Sequence, residues 1–140
     1  MSDERRLGEH LGRALDRILH DLTDIPAPRV EPSDWQDWPG AESACLWAPD
    51  GSGTGVWLDT ALPPAEQVVH LADQVQEWAV EELCAARRPT NWPRCPEHPD
   101  NHPMTPVVVD SRATWCCPRS GRAVVEIGRL PGDDAARESS

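Results

Sequence analysis

The sequence predicts an α+β protein, and three observations carry that expectation. Apolar residues recur every three or four positions over residues 3–22 and 63–86, the period of an amphipathic helix. Short β-branched or Trp-bearing runs, separated by Gly- and Pro-containing turns, occupy 43–59 and 106–127, the pattern of short strands. Most of the Cys of the C-terminal third sit on two Pro-containing turns that bracket the first two of these late strands. The expected order is an N-terminal helix, a β-hairpin, a long amphipathic helix and a C-terminal three-stranded sheet.

In the first helix Leu7, Leu11, Ala14, Leu15, Ile18 and Leu22 make one apolar stripe, and Asp3 and Glu4 suit the positive end of the helix dipole. Gly8 and Gly12 weaken it, and their G-x-x-x-G spacing lacks the apolar 20-mer that would give it a membrane meaning. His10 and His20 fall on the solvated face. Residues 23–42 contain Pro26, Pro28, Pro32 and Pro39 and read as an extended connection. Trp35 and Trp38 within it are expected either to pack back on the core or to form a partner-binding patch.

The hairpin is expected from Ala44-Cys45-Leu46-Trp47 and Gly55-Val56-Trp57-Leu58, with Pro49-Asp50-Gly51-Ser52-Gly53 as its turn. No Lys follows those glycines, so the phosphate-binding loop ending G-K-[ST] is absent. The helix over 63–86 opens on Pro63 and Pro64 and stops at Pro89. Val68, Leu71, Ala72, Val75, Trp78, Ala79 and Leu83 form its apolar face, Glu66, Asp73, Glu77, Glu81 and Glu82 its solvated one. About 24 residues would make it roughly 36 Å long, and that face is expected to cover the hairpin or to pair with a second copy. Cys84 is expected in or near the core.

The chemistry concentrates between Cys95 and Gly128. The first turn reads Cys95-Pro96-Glu97-His98 and the second Cys117-Pro118-Arg119-Ser120-Gly121. Two ligands separated by two residues can share one tight turn, and zinc takes four ligands as a tetrahedron of thiolate and imidazole. Strands are expected at 106–109, 113–116 and 122–127. So small a sheet buries too little by itself, and a metal is the expected brace.

These turns resemble those of a zinc ribbon, whose usual turns read C-P-x-C-G. The resemblance covers residues 95–128, about a quarter of the chain. His98 stands where the first turn usually has its second Cys. Ser120 stands where the second turn would have its second Cys, so one ligand comes from elsewhere. His102 is the first candidate, because three residues separate it from His98, as in Cys2His2 sites. Cys116 is the alternative; it neighbours Cys117 on a strand, where adjacent side chains point to opposite faces. The expected ligand set is therefore Cys95, His98, His102 and Cys117, holding one structural Zn2+.

Charge and composition bound the function. The chain has 140 residues, seven Trp, no Phe or Tyr, and a formal net charge of -11. Residues 1–86 carry 17 acidic and 5 basic side chains, residues 87–130 carry 4 and 7, and residues 131–140 carry 3 and 1. The expected organisation is an acidic helix–hairpin–helix body over 1–88, a zinc-ribbon-like module over 89–130 and a disordered tail over 131–140. An acidic body repels a phosphate backbone, while the C-terminal module tolerates one. Five Cys, an odd number, and an N-terminus without an apolar run point to the cytoplasm and to metal rather than disulfides. No stretch approaches roughly 18 consecutive apolar residues, so no membrane helix is expected.

No H-E-x-x-H, no H-x-E paired with P-C-x-x-C and no G-x-S-x-G occurs. The expected function is non-enzymatic: an adaptor or accessory subunit that binds another protein. Two alternatives stand beside it. One is a nucleic-acid-binding regulator that presents Arg112, Arg119, Arg122 and Arg129 to phosphates. The other is a small metal-dependent hydrolase, in which Ser120 would leave a coordination position open.

Overall fold

A computed structural model describes residues 7–22, 25–33, 38–98 and 102–130. Among these residues there are two helices and six strands: α1 (Glu9–His20), β1 (Arg29–Ser33), β2 (Ala41–Trp47), β3 (Gly53–Asp59), α2 (Pro64–Ala85), β4 (Thr105–Val109), β5 (Arg112–Cys116) and β6 (Ala123–Glu126). The strands form two antiparallel three-stranded sheets, ordered β1-β2-β3 and β4-β5-β6. The α+β expectation holds, and the elements follow the expected order with one addition. Trp35, Asp3, Glu4 and the tail over 131–140 lie outside the described residues.

The addition is β1, which forms inside the Pro-rich stretch and pairs Arg29↔Trp47 through Ser33↔Ser43. Pro32 is tolerated because β1 is an edge strand, where a missing N–H need not break the ladder. Ser43 fastens the far end by donating its hydroxyl to the Ser33 carbonyl at 2.7 Å. Trp38, in the same stretch, is 40% exposed and sets its ring edge-on to Trp57, centroids 5.8 Å apart.

α1 is capped by a residue from another element. Gly8 at the N-cap supplies no side chain, and Glu42 of β2 accepts the Leu11 N–H at 2.8 Å. The absence of a side chain at Gly8 makes this possible: a Cβ there would lie 2.2 Å from the Glu42 carboxylate. The buried stripe Leu11, Ala14, Leu15 and Ile18 then packs on α2.

α2 is the central element, touching α1, β3, β4 and β5. Its buried face carries all seven expected apolar residues, together with Gln67. Gln74 pairs with the backbone of Trp57, accepting its N–H at 3.0 Å and donating to its carbonyl at 2.7 Å. Gln76 donates to the carbonyls of Trp92 and Met104, which flank the first Cys/His turn. At the C-terminus Arg87 adopts φ 59°, while Arg87 N–H reaches Cys84 O and Arg88 N–H reaches Leu83 O, a Schellman ending. Cys84, expected in or near the core, is exposed. The buried stripe ends on Leu83, and the next helical residue is turned about 100° away.

One contiguous core runs through both sheets, from Leu46, Val56 and Leu58 across Leu71, Val75 and Trp78 to Trp92, Met104, Trp115 and Ile127. Its polar centre is Asp21, 1% exposed, just after α1. The Asp21 carboxylate accepts Trp115 Nε1–H at 2.8 Å, Gly128 N–H at 2.6 Å and Leu130 N–H at 3.0 Å. Its backbone carbonyl accepts Trp92 Nε1–H at 2.8 Å. A buried carboxylate with this many donors is satisfied, and it ties the segment after β6 and two core indoles to the end of α1. Among the described residues no helix is long and apolar enough to cross a membrane.

Candidate metal centre

The first turn sits at the end of a short antiparallel pair. Arg94 bridges Pro103, Met104 N–H donates to Pro93 O at 2.7 Å, and His98 N–H closes the turn on Cys95 O at 3.0 Å. This pairing brings Cys95 and His98, on the way out, back beside His102. The second turn follows β5: Gly121 N–H donates to Cys117 O at 2.8 Å and Cys117 N–H to Arg122 O at 2.9 Å. Gly121 holds φ 74°, a left-handed conformation that favours glycine. The Arg122 guanidinium pairs with the Glu97 carboxylate, joining the two turns at the surface.

Cys95, His98, His102 and Cys117 come together, with one donor atom from each lying within 4.8 Å of the others. Cys95 Sγ is 3.7 Å from His98 Nδ1. Cys117 Sγ is 3.8 Å from the same nitrogen and 4.0 Å from His102 Nε2. Metal–sulfur bonds of about 2.3 Å and metal–nitrogen bonds of about 2.05 Å in a tetrahedron put sulfur–nitrogen edges at about 3.6 Å. The observed edges are close to that size, so the four side chains can hold a metal ion.

The surroundings prepare the donors. His102 Nδ1 donates to the Pro103 carbonyl at 3.2 Å; because a carbonyl only accepts, the proton is fixed there and the Nε2 lone pair faces Cys117. Cys117 is fully buried by its neighbours, yet its thiol is lowered from 9.0 to about 6. The Ser120 hydroxyl is the largest cause, followed by the Ser120 N–H, which approaches Sγ at 3.5 Å. Ser120 thus supports the thiolate instead of occupying a ligand position. Adjacent Cys116 is pushed the other way, upward by burial, and its thiol is turned to the Thr114 carbonyl at 4.0 Å. Cys116 stands outside the four-residue cluster.

Sequence spacing reached all four clustered residues. It read Ser120 as a lost ligand position, not as support for the Cys117 thiolate, although its place three residues after Cys117 in the same turn was the local signal. It missed Asp21 and Gln76, which had no local signal. No protein-family model matches the chain, and no characterised protein or solved structure shows significant similarity to it.

Proposed function

We propose that the chain is a non-enzymatic, zinc-stabilised adaptor or accessory subunit that binds another protein. The observation that carries this reading is the closed donor set: two sulfurs and two imidazole nitrogens, all from the protein, within 4.8 Å. Zinc suits two thiolates and two imidazoles in a tetrahedron better than the hard cations do. Cysteine binds zinc as the thiolate, and the ion would supply the charge that balances two such buried ligands together with folding free energy. A hydrolytic zinc keeps one position for water; here His102 supplies the fourth donor, which supports a structural role. The two-turn, three-stranded arrangement supports the resemblance to a zinc ribbon. Five free cysteines suit a reducing compartment such as the cytoplasm.

The apolar face of α2 is buried within the chain, so a second copy would meet its solvated side. The partner is accordingly another protein, contacted through the acidic surface and exposed Trp38. Elemental analysis after dialysis without chelator should find one zinc per chain, and folded protein without metal would sink the zinc reading. A photo-crosslinking residue at position 38 or 107 in native cells should capture a discrete partner. No product from any surface position would sink the adaptor.

The surplus of basic residues over 87–130 favours the regulator as a second reading. The surplus is small, and two of the seven Arg are held in pairs within the segment, Arg122 with Glu97 and Arg129 with Glu126. Little duplex binding is therefore expected at about 150 mM salt, where screening leaves only local charge. Micromolar binding abolished by Arg119→Glu with Arg122→Glu would promote the regulator.

A further inference from the structure

We propose that the outer edge of β4 is a strand-addition site for an extended segment of the partner protein in which basic and β-branched residues alternate. This rests on the adaptor reading and gives it a surface and a partner chemistry.

Two three-stranded sheets have four edges, and proteins guard edges with charge, proline or cover. β1 carries Arg29, Glu31 and Pro32, with Arg29 paired to Glu31. β3 is covered at Trp57 by the Gln74 amide, which takes both backbone groups. β6 carries Glu126, bridged to Arg17 at 3.3 Å. β4 reads Thr-Pro-Val-Val-Val and has no charge. Val107 and Val108 are 41% and 37% exposed, and with Trp38 they are the exposed large hydrophobics among the described residues.

The hydrogen-bonding phase of this edge follows from its hairpin. Val109 and Arg112 flank the two-residue turn Asp110–Ser111, whose φ angles are 50° and 66°. Two positive φ values define a type I′ turn, which is flanked by a hydrogen-bonded pair. Alternation then makes Val107↔Thr114 the next bonded pair and turns the backbone groups of Val108 and Pro106 outward. The edge offers one N–H, from Val108, and two carbonyls. Pro106 falls where the ladder to β5 needs no donor.

Between this edge and α2 runs a groove of about 560 Å³, lined by Leu62 and Val69 with Pro106 and Val108 opposite. Glu66, His70 and Asp73 stand on its α2 side, with the His70 ring engaged edge-on by Trp57 at 4.8 Å, so the carboxylates set the groove's charge. An added strand would point every second side chain into the groove. Lys or Arg there lays its stem across Leu62 and Val69 and brings its charge to the two carboxylates. The intervening positions fall beside Val107 on the other face, where β-branched residues pack. A second copy offers no such match: its own β4 has no cation, and pairing would bring a second acidic rim to the same edge.

The test uses the isotope-labelled, metal-loaded full chain and two capped hexapeptides, one alternating lysine with valine, the other glutamate with valine. The lysine–valine peptide should give saturable amide shifts over residues 105–109 and 66–73 and slow the exchange of the Val108 amide. The glutamate–valine peptide should bind at least about tenfold more weakly, because like charges would face each other. Val108→Lys, at an exposed position, should keep the fold and abolish binding. Val108→Pro should do the same by removing the outward N–H while sparing the ladder to β5. Absence of saturable shifts, equal shifts from both peptides, or unchanged binding by Val108→Lys would overturn the proposal. So would a concentration-dependent dimer dispersed by Val108→Lys, which would assign the edge to a second copy. A crosslinked partner from position 38 but none from position 107 would sink this site and leave the adaptor standing; none from any surface position would sink both.

Discussion

The N-terminal sheet has strands of five, seven and seven residues, the C-terminal sheet strands of five, five and four. The larger one is ordered by burial: Ala44, Leu46, Val56 and Leu58 are fully buried. The smaller one places Ala113 and Trp115 in the core and carries polar contact groups beside them. Those groups are the Cys/His cluster at the turns and the buried Asp21 carboxylate, which reaches Trp115 of β5 and the segment after β6. A sheet too small to hold itself by apolar area can be held by a few strong, directional contacts, each of which becomes indispensable.

That contrast can be broken at the cluster first. Cys95→Ser and Cys117→Ser should each forfeit much of a metal-binding free energy on the order of 10 kcal/mol. Hydrogen exchange should then lose protection in β4, β5 and β6 before β1, β2 and β3. Cys45→Ser, at a half-buried position in the other sheet, should change the melting temperature little. Equal losses for all three variants would contradict a metal-held sheet. Cys116→Ser should keep its metal, since Cys116 is outside the cluster.

The second anchor should come next. Asp21→Ala leaves the buried Trp115 indole N–H and two backbone N–H groups without their acceptor. A loss of about 3–5 kcal/mol is expected by chemical denaturation, because stranded donors forfeit their full desolvation cost. A loss under about 1 kcal/mol would show that water replaces the carboxylate.

Leu58→Ala should affect the N-terminal sheet, whose core residues are fully buried. Leu58 is fully buried, and removing its side chain should cost about 3 kcal/mol. Metal content should stay unchanged, which separates this loss from the first.

The smallest effect concerns pH. Cys117 is lowered from 9.0 to about 6, first by the Ser120 hydroxyl. Between those values the unfolded chain binds more protons than the folded one, so stability rises with pH. The contribution is complete above about 9 and gone below about 6. Ser120→Ala should flatten the slope of the denaturation midpoint across that window after metal removal, when the Cys117 thiol titrates by itself. Identical slopes would remove the hydroxyl as the cause.

The sequence by itself determined the two helices, the hairpin, the three late strands and the four residues of the Cys/His cluster. Each of these rests on spacing along the chain: a period near 3.6, alternation, a turn, or ligands two or three residues apart. What it left open depended on contacts far apart in sequence. β1 read as a connection because Pro32 is acceptable only on an edge, and which strand lies at an edge is settled by pairing with β2. Cys116 and His102 were both within reach of the first three donors; strand orientation sent one thiol to Thr114 O and left His102 Nε2 beside Cys117. Asp21 looked like an ordinary acidic residue at a helix end, because its partners lie 94 to 109 residues away. Local physics fixes which groups are present; packing decides which of them meet.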